Sequence, residues 1–255
     1  MSFAHIGLFL VAIIFCQTSL LFAEEKPAAP LIFHTNHYPL LNNEEQTGFL
    51  DRLTQEILRR NGFTVDISFL PTERAFINLN QNLADGNVAK IAGLTQLYPN
   101  TRQVPGAMIE MDFVAFTLQP EPDVKNWQDL YRYRVGIVTG MKIIESNLKE
   151  HPNLTRVTLP LQLFQLLTAD RVDYVVFTYW NGLSYAHRLQ LQDRIHVASP
   201  PLTVQEMFLY VNHTREELVP KLADTLAEIK ADGTYQRLFE ELLLPLQKQF
   251  EHSEH

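Results

Sequence analysis

The stretch that decides the fold is residues 91–118, which read IAGLTQLYPNTRQVPGAMIEMDFVAFTL. A short apolar strand ends here, and a polar loop over residues 95–101 leads to the single arginine of the stretch, Arg102. After a Pro-Gly pair the chain is apolar again at residues 113–116, and it then meets Gln-Pro-Glu-Pro at residues 119–122. Prolines interrupt helices and interior strands. We therefore predict that the chain crosses here from one structural lobe into another.

Arg102 has two interpretations. An arginine at the end of a polar loop beyond a buried strand can hold a carboxylate, because its planar guanidinium donates two parallel charge-assisted hydrogen bonds. The alternative is a surface arginine paired with an acidic neighbour, since arginine side chains are mostly exposed in folded proteins. The spacing alone leaves both interpretations open.

The first 23 residues have the pattern of a secretory signal peptide. Residues 6–21 are almost wholly apolar, and no charged residue precedes Glu24. This run is short for a membrane-spanning helix, which needs roughly 20 residues. The one cysteine, Cys16, follows large apolar residues rather than the small ones of a lipoprotein cleavage site. We expect cleavage after Ala23, export to the periplasm and no lipid anchor.

The composition of the chain excludes some classes of partner. Residues 24–255 contain no cysteine and are long enough for two modest domains, each with its own core. The formal net charge is -8 and the pI is about 5.6. Binding to nucleic acid or to an anionic membrane needs a basic face, so we expect neither partner. We expect a monomer that binds a small molecule.

Residues 31–92 alternate between predicted strands and helices. Three strands, at residues 31–34, 65–70 and 88–92, enclose two helices, the second of which Thr72 is expected to cap. This order is typical of a parallel α/β sheet, whose ligands bind beyond the carboxyl ends of the strands. The segments after those ends contain Tyr38, Arg74 and the loop that ends on Arg102. We predict that these residues contact a ligand.

Residues 119–202 repeat the alternation on a smaller scale, and residues 199–201 read Ser-Pro-Pro. A second extended segment, residues 206–211, then leads to amphipathic helices, beyond which we expect a frayed tail from residue 248. We predict an α/β protein with two lobes joined by two hinge crossings. Residues 24–118 and 203–255 form the discontinuous first lobe, and residues 119–202 form the second.

Three motifs add a family resemblance to this pattern. They are Ala-Asp-Gly-Thr-Tyr at residues 231–235, Arg-Val-Gly at residues 134–136 before Gly140, and the segment 79–85 before the arginine loop. With the order of elements, they resemble the extracytoplasmic solute-binding proteins of family 3, the binding components of ABC importers for polar amino acids. The resemblance covers nearly all of residues 24–255. It implies a two-lobed periplasmic binding protein clamshell of type II.

The resemblance also implies a set of ligand contacts. In the amino-acid binders, an arginine at the position of Arg102 holds the ligand α-carboxylate, and a hydroxyl near Thr95 assists. Backbone amides at the turn that matches Gly140 and Met141 complete the site, because a helix N-terminus favours an anion. The aspartate that holds the α-amino group falls at Thr178, which has no charge.

Other residues depart from the family pattern. The loop before the arginine is a couple of residues longer than usual, Met141 and Lys142 replace small hydroxyl residues, and Arg74 adds a positive charge. Together with Thr178, these departures favour an anionic or aromatic solute without an α-amino group. A standard amino acid is the alternative, provided that a carboxylate such as Glu110 or Asp112 reaches the cleft.

Aromatic and titratable residues complete the candidate set. Three aromatic residues either line the cleft with their flat faces or belong to the core: Tyr38, Tyr179 and Trp180. The candidate general acids are Glu110, Asp112 and His34, none of which stands in a catalytic motif. The nine histidines lack metal-ligand spacing. We therefore expect no enzymatic activity, no catalytic residues, no cofactor and no metal.

Three functions fit these features. The leading hypothesis is a periplasmic protein that captures a small polar solute, an amino acid or related carboxylate, and delivers it to an ABC permease complex. The second hypothesis uses the same clamshell as a ligand sensor for a separate membrane receptor. The third is a dehydratase-like enzyme on the same scaffold, which would need an acid in the cleft.

Overall fold

The computed structural model of the protein describes residues 29–36 and 39–251. The predicted signal peptide, residues 1–23, and the candidate ligand contact Tyr38 lie outside these residues. Within them, ten strands form one sheet, and eight α-helices pack around it. The predicted α/β class is therefore confirmed.

The strands are β1 (Leu31–Thr35), β2 (Val65–Phe69), β3 (Gly86–Lys90), β4 (Thr101–Gln103), β5 (Ile109–Thr117), β6 (Val135–Val138), β7 (Leu154–Val157), β8 (Tyr174–Thr178), β9 (His196–Val197) and β10 (Thr203–Asn212). The helices are α1 (Phe49–Arg60), α2 (Thr72–Asn80), α3 (Lys142–Asn147), α4 (Pro160–Thr168), α5 (Tyr179–Arg188), α6 (Val219–Ala231), α7 (Thr234–Leu242) and α8 (Leu244–Glu251). Short 3₁₀ helices occupy Leu94–Gln96, Asp129–Arg132 and His213–Leu218.

The first half of the sheet is a parallel unit with β1 at its centre. β1 pairs with β2 on one side and with β3 on the other, where His34 lies opposite Asn87. Helix α1 buries Phe49, Leu53 and Ile57 at helical spacing, which gives it one apolar face for the core. On the other face of the sheet, Asn78 of α2 lies over His34.

The second half of the sheet is built in the same way around β6. β6 pairs in parallel with β7 and with β8. Between the two halves run β5 and β10, which give the strand order β2-β1-β3-β10-β5-β8-β6-β7. One sheet therefore runs through both halves of the molecule.

The crossing between the halves is an antiparallel two-stranded ribbon. Residues 109–113 of β5 pair with residues 203–207 of β10. Beyond the ribbon, β5 pairs with β8 and β9, whereas β10 pairs with β3 and β4. The domain boundaries expected near residues 118 and 202 stay a prediction.

Three local predictions were wrong. The polar loop does not run on to Arg102, because residues 101–103 form β4 and pair with β10. Thr72 does not cap α2; Pro71 occupies the cap position and Thr72 is the first helical residue. The tail continues as α8, because Leu246 is buried against the apolar core of the second half.

Three side chains connect the two main hydrophobic clusters of the protein. Leu40 follows β1, Met141 follows β6, and Tyr179 follows β8. Each is partly buried and packs against both clusters. Residues that follow strands of both halves therefore help to join the two clusters.

Candidate functional site

Two strand ends lie on either side of the crossing. Lys90 ends β3 and lies opposite Phe208 of β10. Thr178 ends β8 and lies opposite Phe113 of β5, which in turn pairs with Thr203 of β10. Thr203 and Phe208 are the residues of β10 that mark the levels of Thr178 and Lys90. They are five residues apart, which is about 17 Å along the strand at about 3.4 Å per residue. Because α/β sheets bind ligands beyond the carboxyl ends of parallel strands, this region is the candidate site.

A polar cluster of Asn36, Thr72 and Lys90 occupies the first-half side of the site. The Lys90 ammonium donates a hydrogen bond to Oδ1 of Asn36. Nδ2 of Asn36 donates to Oγ1 of Thr72 at 2.9 Å, and the Thr72 hydroxyl lies 3.1 Å from Oδ1 of Asn36. The cluster thus joins the end of β1, the start of α2 and the end of β3.

Lys90 is an unusually buried cation. Its exposed fraction is 5%, and this burial lowers the pKa of Lys90 to about 7 from an ordinary value of 10.5. Across the part of the chain that the structure describes, no carboxylate forms an ion pair with Lys90. Burial and then the charge of Lys90 lower the pKa of His34 on the neighbouring strand.

The turn after β6 already holds a carboxylate of this chain. Gly140 has a left-handed φ of 94°, and its backbone N–H donates to Oε1 of Glu145 at 2.8 Å. The Lys142 ammonium lies 3.3 Å from Oε2 of Glu145. The bond from Gly140, followed by that from Lys142, lowers the pKa of Glu145. The amide that the family resemblance assigns to a ligand therefore binds Glu145, while Met141 packs between the clusters.

The end of β8 has a neutral polar pair. Thr178 is at the N-cap of α5, is only 3% exposed, and accepts a 2.7 Å hydrogen bond from Nδ2 of Asn181. The next two residues differ in their surroundings. Trp180 is buried, with its ring edge-on to Tyr179 at 5.0 Å and to Phe239 of α7 at 5.4 Å. Trp180 thus packs in the core, whereas Tyr179 is partly buried.

Arg102 takes part in a surface ion pair. Its Nε donates to Oε2 of Glu216 at 2.8 Å, and one of its terminal nitrogens donates to the carbonyls of Pro99 and Thr101. This is the alternative that the sequence left open. Its role as a ligand contact stays a prediction.

The other two candidates of the first half lie in segments next to the polar cluster along the chain. Thr95 is half-buried in the 3₁₀ helix that follows β3, and Arg74 is exposed in the first turn of α2, two residues after Thr72. Ligand contact by either residue stays a prediction.

The acidic candidates lie on the crossing ribbon. Glu110 is opposite Glu206, and Asp112 is opposite Val204. Burial, and secondarily the charge of Glu110, raises the pKa of Asp112. Among the side chains of residues 29–36 and 39–250, no group of three or more His, Cys, Asp and Glu residues is arranged to hold a metal ion.

Lys90 and Asn36 were missed by sequence reasoning. Lys90 is the only charged residue in Gly-Asn-Val-Ala-Lys-Ile-Ala, a segment otherwise suited to a buried strand. A charge inside a buried strand is the signal that could have identified it, because isolated charges are costly to bury. Asn36 gave no such signal, since polar residues are common in loops.

Two surface depressions lie elsewhere. One, of about 570 Å³, lies between α1, β2 and α7, and another, of about 530 Å³, lies beside β7 and α4. We favour the strand ends because Lys90 and Thr178 are buried polar groups there, whereas the charged side chains that line the depressions are exposed or half-buried. No helix in the described ranges is long and apolar enough to span a bilayer.

Comparison with known sequences gives distant relatives only. No family model matches the chain. A protein of Shewanella frigidimarina, whose name proposes a sensor role, is 26% identical over 233 residues. The match covers 88% of this chain but 33% of that protein, so the chain spans about a third of its length.

The matching solved structures are covered over almost their whole length. A histidine kinase sensor domain with similarity to periplasmic binding proteins has a TM-score of 0.68 at 17% identity, and covers 84% of this chain and 96% of its own. An ancestral arginine-binding protein bound to arginine has a TM-score of 0.69 at 19% identity over 85% and 99% of the two chains. The GluR0 ligand-binding core with L-glutamate has a TM-score of 0.74 at 10% identity over 86% and 100%. The chain therefore has the two-lobed fold of the periplasmic binding proteins.

Proposed function

We propose that this protein is an exported solute-binding protein that captures a small polar solute between its two lobes. The observation that carries the proposal is the position of Lys90 and Thr178. These polar residues end parallel strands of different halves and lie on either side of one crossing ribbon. A solute held between them contacts both halves at once, so binding and the relative position of the halves are coupled.

We propose the following contacts for this solute when the two lobes are closed. The first lobe provides Asn36, Thr72 and Lys90, with Arg74 and Thr95 nearby. The second lobe provides Thr178 as a hydrogen-bonding group and Tyr179 and Met141 as an apolar wall. Tyr38 stays a candidate from the sequence, and Gly140 becomes a contact only if Glu145 releases its amide.

The bound form requires a membrane partner. An ABC permease complex is the partner that the family resemblance implies. A membrane receptor is a second candidate, favoured by the Shewanella frigidimarina relative named for a sensor role and by the sensor-domain structure. Deleting the gene distinguishes them: loss of solute uptake supports import, whereas normal uptake with loss of the transcriptional response to the solute supports sensing. We propose no catalytic activity, because Glu110 and Asp112 lie on the crossing ribbon while His34 contacts Ser68 and Asn78, so these candidate acids are not brought together among the described residues.

A thermal-shift screen tests the binding function. Amino acids, dicarboxylates, aromatic acids and polyamines are added to the purified protein, and the melting temperature is recorded. A ligand that binds the folded state stabilises it by RT ln(1 + [L]/Kd), so a true ligand gives a shift that grows with its concentration. A double variant of Thr178 and Lys90 should lose that shift. Unchanged melting temperatures with every class of solute would contradict the proposal.

A further inference from the structure

We propose that Lys90 is the residue that recognises an anionic group of the solute, a carboxylate or another oxyanion, in the first lobe. The inference rests on the proposed solute-binding function and specifies the chemical class of the solute. It gives to Lys90 the role that the family resemblance gave to Arg102.

The first support is the charge balance around Lys90. A lysine side chain is almost never fully buried unless it is paired. Lys90 is 5% exposed, and the partner found for its ammonium in the described ranges is the neutral amide oxygen of Asn36. An amide oxygen satisfies one of three donors and leaves the charge uncompensated. An anionic ligand group would supply the missing charge.

The second support is the access to Lys90. The first turn of α2 is exposed at residues 72–74, and Ala92 and Gly93, which follow Lys90, are exposed as well. The exposed Thr72 shares Asn36 with Lys90 as a hydrogen-bond partner, and we infer that a small solute reaches the ammonium from this side. Cap residue Pro71 provides no side-chain hydrogen bond to the first turn of α2. The backbone donors of this turn start at Thr72, which contacts Asn36 of the polar cluster, and a helix N-terminus favours an anion.

The third support is the backbone that presents Lys90. Ala89 has a φ of 51°, a left-handed conformation that is uncommon for a residue with a Cβ atom. At Ala89, the register between β3 and β10 shifts, in the interval from Phe208 to Tyr210 of β10. The irregularity brings Lys90 to the face of the sheet that α2 covers, next to Asn36. Strained backbone of this kind persists where the surrounding structure fixes it, and often at binding sites.

The α2 side of the sheet carries a further polar side chain without a hydrogen-bond partner among the described residues. Asn87 is wholly buried, and neither its amide nitrogen nor its amide oxygen has a hydrogen-bond partner in the described part of the chain. Asn87 pairs with Tyr210 and Lys90 pairs with Phe208, so both side chains lie on the α2 side. Buried polar groups in folded proteins are nearly always bonded. Asn87 therefore adds two hydrogen-bonding groups without a partner among the described residues to the face that carries Lys90.

Binding measurements with defined probes test the inference. The probes are succinate, glutarate, L-glutamate and inorganic phosphate as anions, succinamide as a neutral analogue and putrescine as a cation. Affinity is measured by calorimetry at pH 6 for the wild type, Lys90→Met and Lys90→Gln. Lys149→Met is the control, since Lys149 is an exposed lysine of the second half. Lys90→Gln keeps a polar side chain in case the methionine variant does not fold.

We expect at least one anionic probe to bind the wild type and the Lys149→Met control equally, and to bind both Lys90 variants at least tenfold more weakly. Equal affinity of the wild type and the Lys90 variants for that anion overturns the inference. Binding of succinamide or putrescine without any anion overturns the inference but leaves the proposed function in place. Binding of no probe by the wild type counts against both.

Discussion

Arg102 and Glu216 form an ion pair with an Nε–Oε2 distance of 2.8 Å, and their side chains are 38% and 61% exposed. Exposed pairs of this kind contribute about 0–1 kcal/mol to stability. We therefore expect Arg102→Lys to change the free energy of unfolding by less than about 1 kcal/mol. We also expect it to leave the affinity for an anionic solute within about twofold, because Glu216 and the carbonyls of Pro99 and Thr101 already engage the guanidinium. Denaturant titration and calorimetry measure the two quantities.

A different result would return Arg102 to the site. If Arg102→Lys weakened anion binding by about tenfold, the guanidinium would have to leave Glu216 for the ligand, since a lysine cannot reproduce its two parallel bonds. Glu216→Gln is the matched control, because it removes the charged partner of Arg102 without altering the strand ends.

Anion binding should depend on pH through Lys90. Burial lowers the pKa of Lys90 to about 7 in the free protein, and a bound anion raises it. Between these two pKa values the complex holds one proton more than the free protein, so affinity falls by up to about tenfold per pH unit as pH rises above 7. Calorimetry from pH 6 to pH 9 tests this. Burial, and then the charge of Lys90, lowers the pKa of His34, so titration of His34 does not account for a fall in affinity above pH 7.

The stability of the ligand-free protein should change in the opposite direction. Between pH 7 and pH 10.5 the unfolded chain binds a proton at Lys90 that the folded chain does not, so the contribution of Lys90 to stability rises with pH. Lys90→Met should remove this slope and raise the melting temperature at pH 6, because a charge is no longer buried. A lower melting temperature of Lys90→Met at pH 6 would mean that Lys90 is a structural residue.

Thr178→Asp should shift ligand preference toward solutes with an ammonium group. An aspartate is a favourable N-cap for α5, and Asn181 can donate to it as it now donates to the threonine. A hydrogen bond to a charged group contributes about 1.5–3 kcal/mol, so the ratio of affinities for L-glutamate and glutarate should rise about tenfold or more. Thr178→Asn is the neutral control. An unchanged ratio would place Thr178 outside the site.

Ligand binding should close the two lobes. The residues of β10 that mark the levels of Lys90 and Thr178 are five residues apart, so a small solute contacts both residues only if the halves approach each other. Small-angle scattering should therefore give a smaller radius of gyration at saturation than without ligand. Spectroscopic labels at Lys221→Cys and Lys149→Cys report the same change, since residues 24–255 contain no cysteine. Equal label distances in both states would contradict a clamshell motion.

The sequence predicted the class of fold because periodicity and breakers are local. Apolar spacing in α1 and the prolines near residues 120 and 200 marked elements and the breaks between them without knowledge of any contact. The ribbon that joins the halves lies at residues 109–113 and 203–207, and hinge positions at the prolines stay a prediction. Strand β4 was missed because three residues are too few to show the alternating pattern of a strand. It exists only because β10 supplies hydrogen-bonding partners from more than 100 residues away.

The candidate site was less predictable because it depends on tertiary contacts. Arg102 has the right residue type after the right strand, but Glu216 on a distant helix engages it. Gly140 has the expected turn, but Glu145 occupies its amide five residues later. Lys90 owes its properties to burial, which no local pattern reports.

The crossing ribbon has a consequence for how the motion can be seen. The backbone amides of residues 109–113 and 203–207 are paired with each other across the two strands. If the lobes swing by twisting this ribbon as a unit, its hydrogen bonds persist throughout the swing. Hydrogen–deuterium exchange would then show the joint as one of the slowest-exchanging parts of the molecule. A search for the hinge by amide exchange alone would pass over the place where the two lobes turn.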